Sequence, residues 1–334
     1  MEAWVLRKIK TPLEREHRDS PKPSPGEVVV RLFAAALNRR DFWITQGMYP
    51  GIKLPTILGS DGAGIVEQAG SDVDQQTWGG REVIINPGWS WGDDRRVQSS
   101  DFKILGMPVD GTLATHVVVP TDYLVPKPPY LDWHASAALP LAGLTAYRAL
   151  FTQGELRPGM RVLITGAGGG VATMGLLFAT AAGAQVYVTS SDDAKRQRAT
   201  AFGAKGAYNY RDPDWHKSLI ADIGGVDLVL DGAGGDSYTA LLEVLAPGGR
   251  LVNYGMTAGN PPQLDLFRVF WKQLQIVGST MGSPQDFQAM VDFVDKHRIT
   301  PCVDRVVPFH QADDAIAAMR EAPQFGKTVI SCSP

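Results

Sequence analysis

The chain has 334 residues, mixed charges and a formal net charge of only −3. That length predicts two domains with separate cores, and the near-neutral balance gives no electrostatic basis for nucleic-acid or anionic-membrane partners. Only two cysteines occur, Cys302 and Cys332, which excludes a disulfide scaffold and a four-sulfur zinc site.

The first part reads as β-rich. Short apolar runs at Glu27–Arg31, Ala63–Glu67, Arg81–Ile85 and Ala114–Val119 are separated by Gly, Pro and Asp turns. Between them, Gly88–Asp110 carries two Trp among many polar residues and reads as a long surface loop. The texture changes near Pro126–Pro129, and from Trp133 onward helices alternate with strands. Val162–Thr165 is a short apolar strand, followed by a glycine cluster and the small-residue helix Met174–Ala182. Further strands are expected at Gln185–Thr189, Val226–Asp231, Arg250–Tyr254 and Leu274–Gly278, with a helix over Lys195–Phe202. Alternation with short links predicts a parallel, doubly wound α/β sheet. After about residue 280 come a helix, a strand pair and a short helix. No charged-then-apolar leader opens the chain and no apolar run is long enough to span a bilayer, so the expected location is cytoplasmic.

Strand, tight glycine turn and helix N-terminus together form a pyrophosphate site, because backbone N–H groups and the helix start supply partial positive charge. The turn here is Gly166–Ala172. Read from Ala167, it fits G-x-G-x-x-G/A with Ala first and Ala172 third. With Gly166 and Gly168 in the first two positions instead, Val171 crowds the helix–strand contact, so the first register is preferred. NAD sites place an acidic side chain at the end of the second strand, whereas a 2′-phosphate wants cations there. That strand ends with Ser190 and Ser191, and Lys195, Arg196 and Arg198 follow. Asp192 and Asp193 suit the cap and first turn of the next helix. NADPH is therefore expected over NADH.

With these features the chain resembles the medium-chain dehydrogenase/reductase superfamily, in its zinc-lacking quinone oxidoreductase-like branch. The resemblance spans nearly the whole length. It rests on Leu37–Asp41, Gly59–Val66, Gly111–Ala114, Pro140–Tyr147, the glycine turn and Gly326–Ile330. It implies a GroES-like β-rich catalytic domain, residues 1–126 and 280–334, and a Rossmann domain, residues 127–279. It also implies that Lys195 and Tyr210, fifteen residues apart, hold the adenosine 2′-phosphate beside Ser191. The cofactor set expected is Thr145, Ala167, Gly169, Gly170, Val171, Ser190, Ser191, Lys195, Tyr210 and Gly255.

Zinc-using relatives carry a Cys and a His-Glu pair where this chain has Asn38 and Ser60-Asp61, and four Cys where it has the Cys-free Gly88–Asp110. Zn²⁺ needs three or four protein ligands, normally thiolate or imidazole. Of six His, only His116 lies in the readable strands of the first part, with no partner in sequence. Neither catalytic nor structural zinc is expected. Hydride delivered to an enone or quinone leaves negative charge on the carbonyl oxygen, and something must donate to it. The candidate catalytic residues are Asn38, Asp41 and Tyr49, which the resemblance places facing the nicotinamide. Asn38 offers an amide, Tyr49 a phenol, and Asp41 orients the site or the ribose, or caps a helix start. Trp43, where relatives often show Tyr, adds with Tyr49 a flat wall for an aromatic substrate. Arg40 departs from the small hydroxyl residue that relays protons in zinc-dependent members.

The expected activity is reduction of quinones or α,β-unsaturated carbonyls. The alternatives are an alcohol or aldehyde dehydrogenase, and a nucleotide-binding structural or regulatory protein without turnover. Leu274–Gly278 is expected to end the parallel sheet, and an exposed apolar edge there predicts a homodimer.

Overall fold

The computed structural model describes residues 1–321 and 324–332. It divides into two compact units, Met1–Ala142 with Gly282–Pro334, and Gly143–Met281. Four residues of the first unit's tail, at 322, 323, 333 and 334, lie outside the described residues, and part of the expected 280–334 span goes with them. Residues 127–142 pack with the first unit. Trp133 stacks on Phe33 at 4.6 Å between ring centroids, and the Tyr130 hydroxyl lies 2.8 and 2.7 Å from the carbonyls of Val294 and Ile299.

The first unit is built on a seven-stranded, mainly antiparallel sheet. Its path runs Leu124–Pro126, Glu82–Ile85, Asp61–Ala69, Glu27–Ala36, Lys327–Ser331 and Val303–Pro308, with His116–Pro120 also pairing Glu27–Ala36. The Glu27–Ala36 strand opens with a β-branched run suited to a pleated surface, and it is the hub. Its residues pair with those of three neighbours, and Val28, Val30, Leu32 and Ala35 belong to the core.

The second unit is a six-stranded parallel sheet. Its order is Gly206–Tyr208, Gln185–Thr189, Arg161–Ile164, Val226–Asp231, Leu245–Asn253 and Gln275–Gly278. Numbered along the chain that order is 3-2-1-4-5-6, the doubly wound dinucleotide-binding arrangement. Val162, Leu163, Ile164, Leu228, Val229 and Leu230 are fully buried, as strands covered on both faces require. Gly206–Tyr208 escapes the sequence reading because three residues headed by glycine carry no strand signal. Gln275–Gly278 forms the sheet edge, as expected.

Gly88–Asp110 is more than a surface loop. It forms a small sheet from Gly88–Trp89, Lys103–Leu105 and Pro108–Val109. Both of its Trp are buried, Trp91 packing edge-on against Phe102 at 5.3 Å. Its polar residues face water, but the aromatic rings anchor it to the core. Among the described residues no helix is long and apolar enough to cross a membrane.

Candidate active site

Strand register brings the first unit's polar residues together. Ala36 lies opposite both Asp61 and Val329, so Asn38, Asp61 and Lys327 converge where three strands start or end. Their side chains form one closed set. Lys327 Nζ donates to Asn38 Oδ1 at 2.6 Å and to Asp61 Oδ2 at 2.9 Å, while Asn38 Nδ2 donates to the same Asp61 oxygen at 2.8 Å. The other Asp61 oxygen accepts the Leu141 N–H at 2.7 Å. Lys327 and Asp61 are 3% and 0% exposed, a buried pair in which each charge is matched and hydrogen-bonded, as burial demands.

Asn38 also precedes the helix Arg39–Thr45. Asp41 closes that helix start: its Oδ2 accepts the Asn38 N–H at 2.8 Å and its Oδ1 the Gly59 N–H at 3.2 Å. Burial pushes the Asp41 carboxyl above the ordinary carboxylate range, against the opposing pull of the Arg40 guanidinium and these two N–H groups.

Arg40, which sequence reasoning noted only as a departure, turns inward. It is 7% exposed. Its Nη1 donates to Ser60 Oγ at 2.7 Å and the Leu105 carbonyl at 2.9 Å, and its Nη2 to the Met107 carbonyl at 3.2 Å. Ser60 also donates to the Leu105 carbonyl at 2.7 Å. Close backbone contact delivers these carbonyls. Gly106 adopts φ +90°, and a Cβ there would meet the Gly59 carbonyl oxygen at 2.5 Å, so only glycine lets the two segments touch.

Tyr49 lies against the guanidinium, its ring centroid 5.1 Å from Arg40 Cζ. Trp43 sits on the same short helix, 4.9 Å from Arg39 Cζ and tilted against Phe42 at 5.3 Å. Trp43 and Tyr49 are both half-buried. His116 is a partly exposed residue: its Nε2 lies 3.0 Å from Glu67 and its Nδ1 2.9 Å from Thr115 Oγ1.

The second unit holds the glycine turn. Strand Arg161–Ile164 leads through it into helix Gly170–Ala181. Gly166 and Gly168 take positive φ, 68° and 112°, a conformation that favours glycine. Ala167, read from sequence as the first motif position, is a buried residue whose N–H donates to the Thr189 carbonyl at 2.8 Å. Gly169 caps the helix with no side chain, so the N–H groups of Gly170 and Val171 meet no helical carbonyl. At Gly166 a Cβ would find nothing within 4 Å, and the turn is open there. The residues fit a pyrophosphate. A tight helix–sheet contact falls further on, at Gly175, where a Cβ would meet Leu230 at 2.8 Å.

Asp231, missed in the sequence, ties the strand ends beside this turn. It accepts from Thr165 Oγ1 at 2.7 Å, Ala233 and Gly234 N–H at 3.0 Å, and Asn253 Nδ2 at 3.1 Å. Asn253 also holds the Gly255 carbonyl at 2.9 Å. An acid closing the apolar run Val226–Asp231 was the available signal. Thr145 is buried in the same unit, 4.0 Å from Met281 Sδ.

At the end of strand Gln185–Thr189 stand Ser191 and Tyr210, two of the residues expected beside a ribose phosphate. Ser191 Oγ and the Tyr210 hydroxyl are 3.0 Å apart. Asp192 caps the helix Asp193–Ala201 through the Lys195 N–H at 3.1 Å. Arg196 bonds Asp193 and donates to the Ser190 carbonyl at 2.6 Å. Both carboxylates are thus committed locally.

The residues at the metal-ligand positions do not fit zinc. Asn38 Oδ1 already accepts from an ammonium, Asp61 Oδ2 from that ammonium and an amide, and Ser60 Oγ from a guanidinium. Two buried cations stand among these donors, and no thiolate or imidazole does. Among the described residues no group of three or more His, Cys, Asp or Glu could hold a metal ion.

The fold and these two sites define a two-unit α/β oxidoreductase. Residues 24–129 match the alcohol dehydrogenase GroES-like domain and residues 170–296 the zinc-binding dehydrogenase domain. A zinc-type alcohol dehydrogenase-like protein of Leptosphaeria maculans is 38% identical over 96% of this chain and 94% of its own. The crotonyl-CoA carboxylase/reductase of Cereibacter sphaeroides is 28% identical, over 96% and 84%. A crystal structure of an NAD-dependent alcohol dehydrogenase superposes with a TM-score of 0.93 at 37% identity, over 99% of each chain. The chain belongs to the medium-chain dehydrogenase/reductase superfamily and is an oxidoreductase of the NAD(P)H-dependent kind.

Proposed function

We propose that this protein reduces quinones or α,β-unsaturated carbonyls with NADPH and without zinc. The first unit is then the catalytic domain and the second the dinucleotide-binding domain. The observation that carries the reading is the closed Asn38–Asp61–Lys327 set, in which ammonium and amide groups take the lone pairs a metal would need.

A bound nicotinamide dinucleotide supplies the hydride. The helix start at Gly170 and Val171 would hold its pyrophosphate through backbone N–H groups, and Gly255 and Thr145 would line its path. Ser190, Ser191, Lys195 and Tyr210 would bind the adenosine 2′-phosphate, because both nearby acids are spent on the following helix. Asn38, its side chain engaged on both ends, acts as a positioning residue, as does Asp41 at the helix start. Tyr49 is the residue left to offer a proton near the substrate oxygen, and Trp43 gives a flat wall for an aromatic substrate.

A homodimer is proposed through the Gln275–Gly278 edge. The preceding helix Leu266–Trp271 exposes Phe267, Phe270 and Trp271, the last at 72%. Exposed aromatics beside a free strand edge favour pairing with a second copy.

The test is NADPH oxidation against a panel of quinones and enones, with bound metal measured on the same preparation. Turnover by metal-free protein supports the reading. A stoichiometric metal with alcohol oxidation would replace it with the second reading, an alcohol dehydrogenase, which the similarity to alcohol dehydrogenase-like proteins favours. Tight NADPH binding without turnover on any of these substrates would favour a non-enzymatic role.

A further inference from the structure

We propose that the guanidinium of Arg40 is the cation that binds the substrate's carbonyl oxygen and holds the charge growing there. The inference rests on the reductase reading above.

A guanidinium stays protonated at every accessible pH and is costly to bury unless its donors are served. Arg40 is nine-tenths buried, yet its three hydrogen bonds all go to neutral oxygens, on Ser60, Leu105 and Met107. These use both protons of Nη1 and one of Nη2. The Nε proton, buried, has no partner among the described residues. A structural arginine would be expected to close that account with a carboxylate. The neighbouring acid, Asp41, acts on this cation through space only, its oxygens accepting from Asn38 and Gly59 instead. An uncommitted, desolvated donor on a fixed cation is what an incoming oxyanion needs.

Position agrees. Nη1 lies 2.7 Å from Ser60 Oγ, the side chain standing where zinc-using relatives have His. The half-buried Tyr49 ring lies 5.1 Å from the guanidinium carbon, so the residue proposed above as proton donor and this cation stand side by side. For an enone, a hydride supplied by a bound nicotinamide would bond to the β-carbon, the C=C π pair would shift to the bond between the α-carbon and the carbonyl carbon, and the C=O π pair would move onto oxygen. The resulting enolate oxygen would accept from Arg40, and a proton offered by Tyr49, replaced from solvent, would then bond to the α-carbon. The dinucleotide is oxidised and the substrate reduced by the same electron pair, and Arg40 keeps its protons.

The experiment compares wild type with Arg40→Gln, Arg40→Lys and Arg40→Gly, using 4-phenyl-3-buten-2-one and NADPH, with folding followed by thermal melts. Loss of an oxyanion donor predicts a fall in kcat of about 10²–10³-fold for Arg40→Gln, with KM little changed and partial retention in Arg40→Lys. Guanidinium ion at millimolar concentration should restore activity to Arg40→Gly in a saturable way, which a purely structural role would not produce. A folded Arg40→Gln with kcat within threefold of wild type would overturn the proposal. Benzoate, a stable carboxylate, supplies a second readout by titration calorimetry. It should bind wild type and not Arg40→Gln, and compete with the enone on wild type even if every variant fails to fold. Benzoate binding lost in Arg40→Gln while wild type reduces no carbonyl or quinone would sink the reductase reading and keep the anion site. Equal or absent benzoate binding would sink the anion site itself.

Discussion

Replacing Lys327 by Met tests whether the buried polar set holds the first unit together. The substitution keeps most of the side chain's length but removes the ammonium that bonds Asp61 and Asn38 at 2.9 and 2.6 Å. Asp61 remains fully buried with only the Leu141 N–H and the Asn38 amide as donors. Breaking a buried pair by removing one partner costs about 3–5 kcal/mol, because the other charge is left uncompensated. Two surviving hydrogen bonds place this case near the low end, about 3 kcal/mol. At roughly 2–4 °C per kcal/mol for a domain of this size, the first unit should melt about 6–12 °C earlier. Six of the eight Trp lie in that unit, so intrinsic fluorescence follows it. Asp61→Asn should also destabilise, and Lys327→Met/Asp61→Asn should cost about 2 kcal/mol or more less than the two singles added together. A single-variant loss under 1 kcal/mol, or additive singles, would refute the claim that the pair is mutually dependent.

Other perturbations probe the second unit and the thiols. Lys195→Ala should weaken NADPH binding about tenfold or more, from a lost charged hydrogen bond of roughly 1.5–3 kcal/mol, while leaving NADH nearly untouched. Equal losses for both dinucleotides, measured by titration, would remove Lys195 from phosphate recognition. Phe267→Glu with Phe270→Glu should shift sedimentation from dimer to monomer without changing the melt of the second unit, since both rings are exposed; an unaltered dimer would move the interface elsewhere. Burial pushes the Cys332 thiol up to about 12, so its thiolate is scarce below that pH in the folded protein. Native protein at pH 8 should therefore resist iodoacetamide at Cys332, and unfolding should expose it. Rapid labelling of the native chain would contradict its burial.

The repeating strand–helix texture after Trp133 was legible because buried parallel strands are apolar throughout and their glycine turn is local. The strand at Gln185–Thr189, the cap at Asp192 and the first-turn acid Asp193 fell where composition put them. Gly88–Asp110 was misread, because polar residues dominate its count while two buried Trp decide its packing. In the first unit, Asn38 and Asp41 were visible as unusual residues, but not that Asn38 would be consumed by Lys327, nearly three hundred positions away.

That distance marks the division. Sequence alone determined the fold class, the glycine turn and the lack of thiols for a four-sulfur site, since each depends on residue type and short-range spacing. Only the tertiary structure decided which side chains meet. The register of Glu27–Ala36 against Asp61–Ala69 and Lys327–Ser331 brought Lys327 to Asp61, and the close approach at Gly106 turned two carbonyls toward Arg40. Such meetings follow from hydrogen-bonded pairing between remote segments, and local propensity carries no record of them.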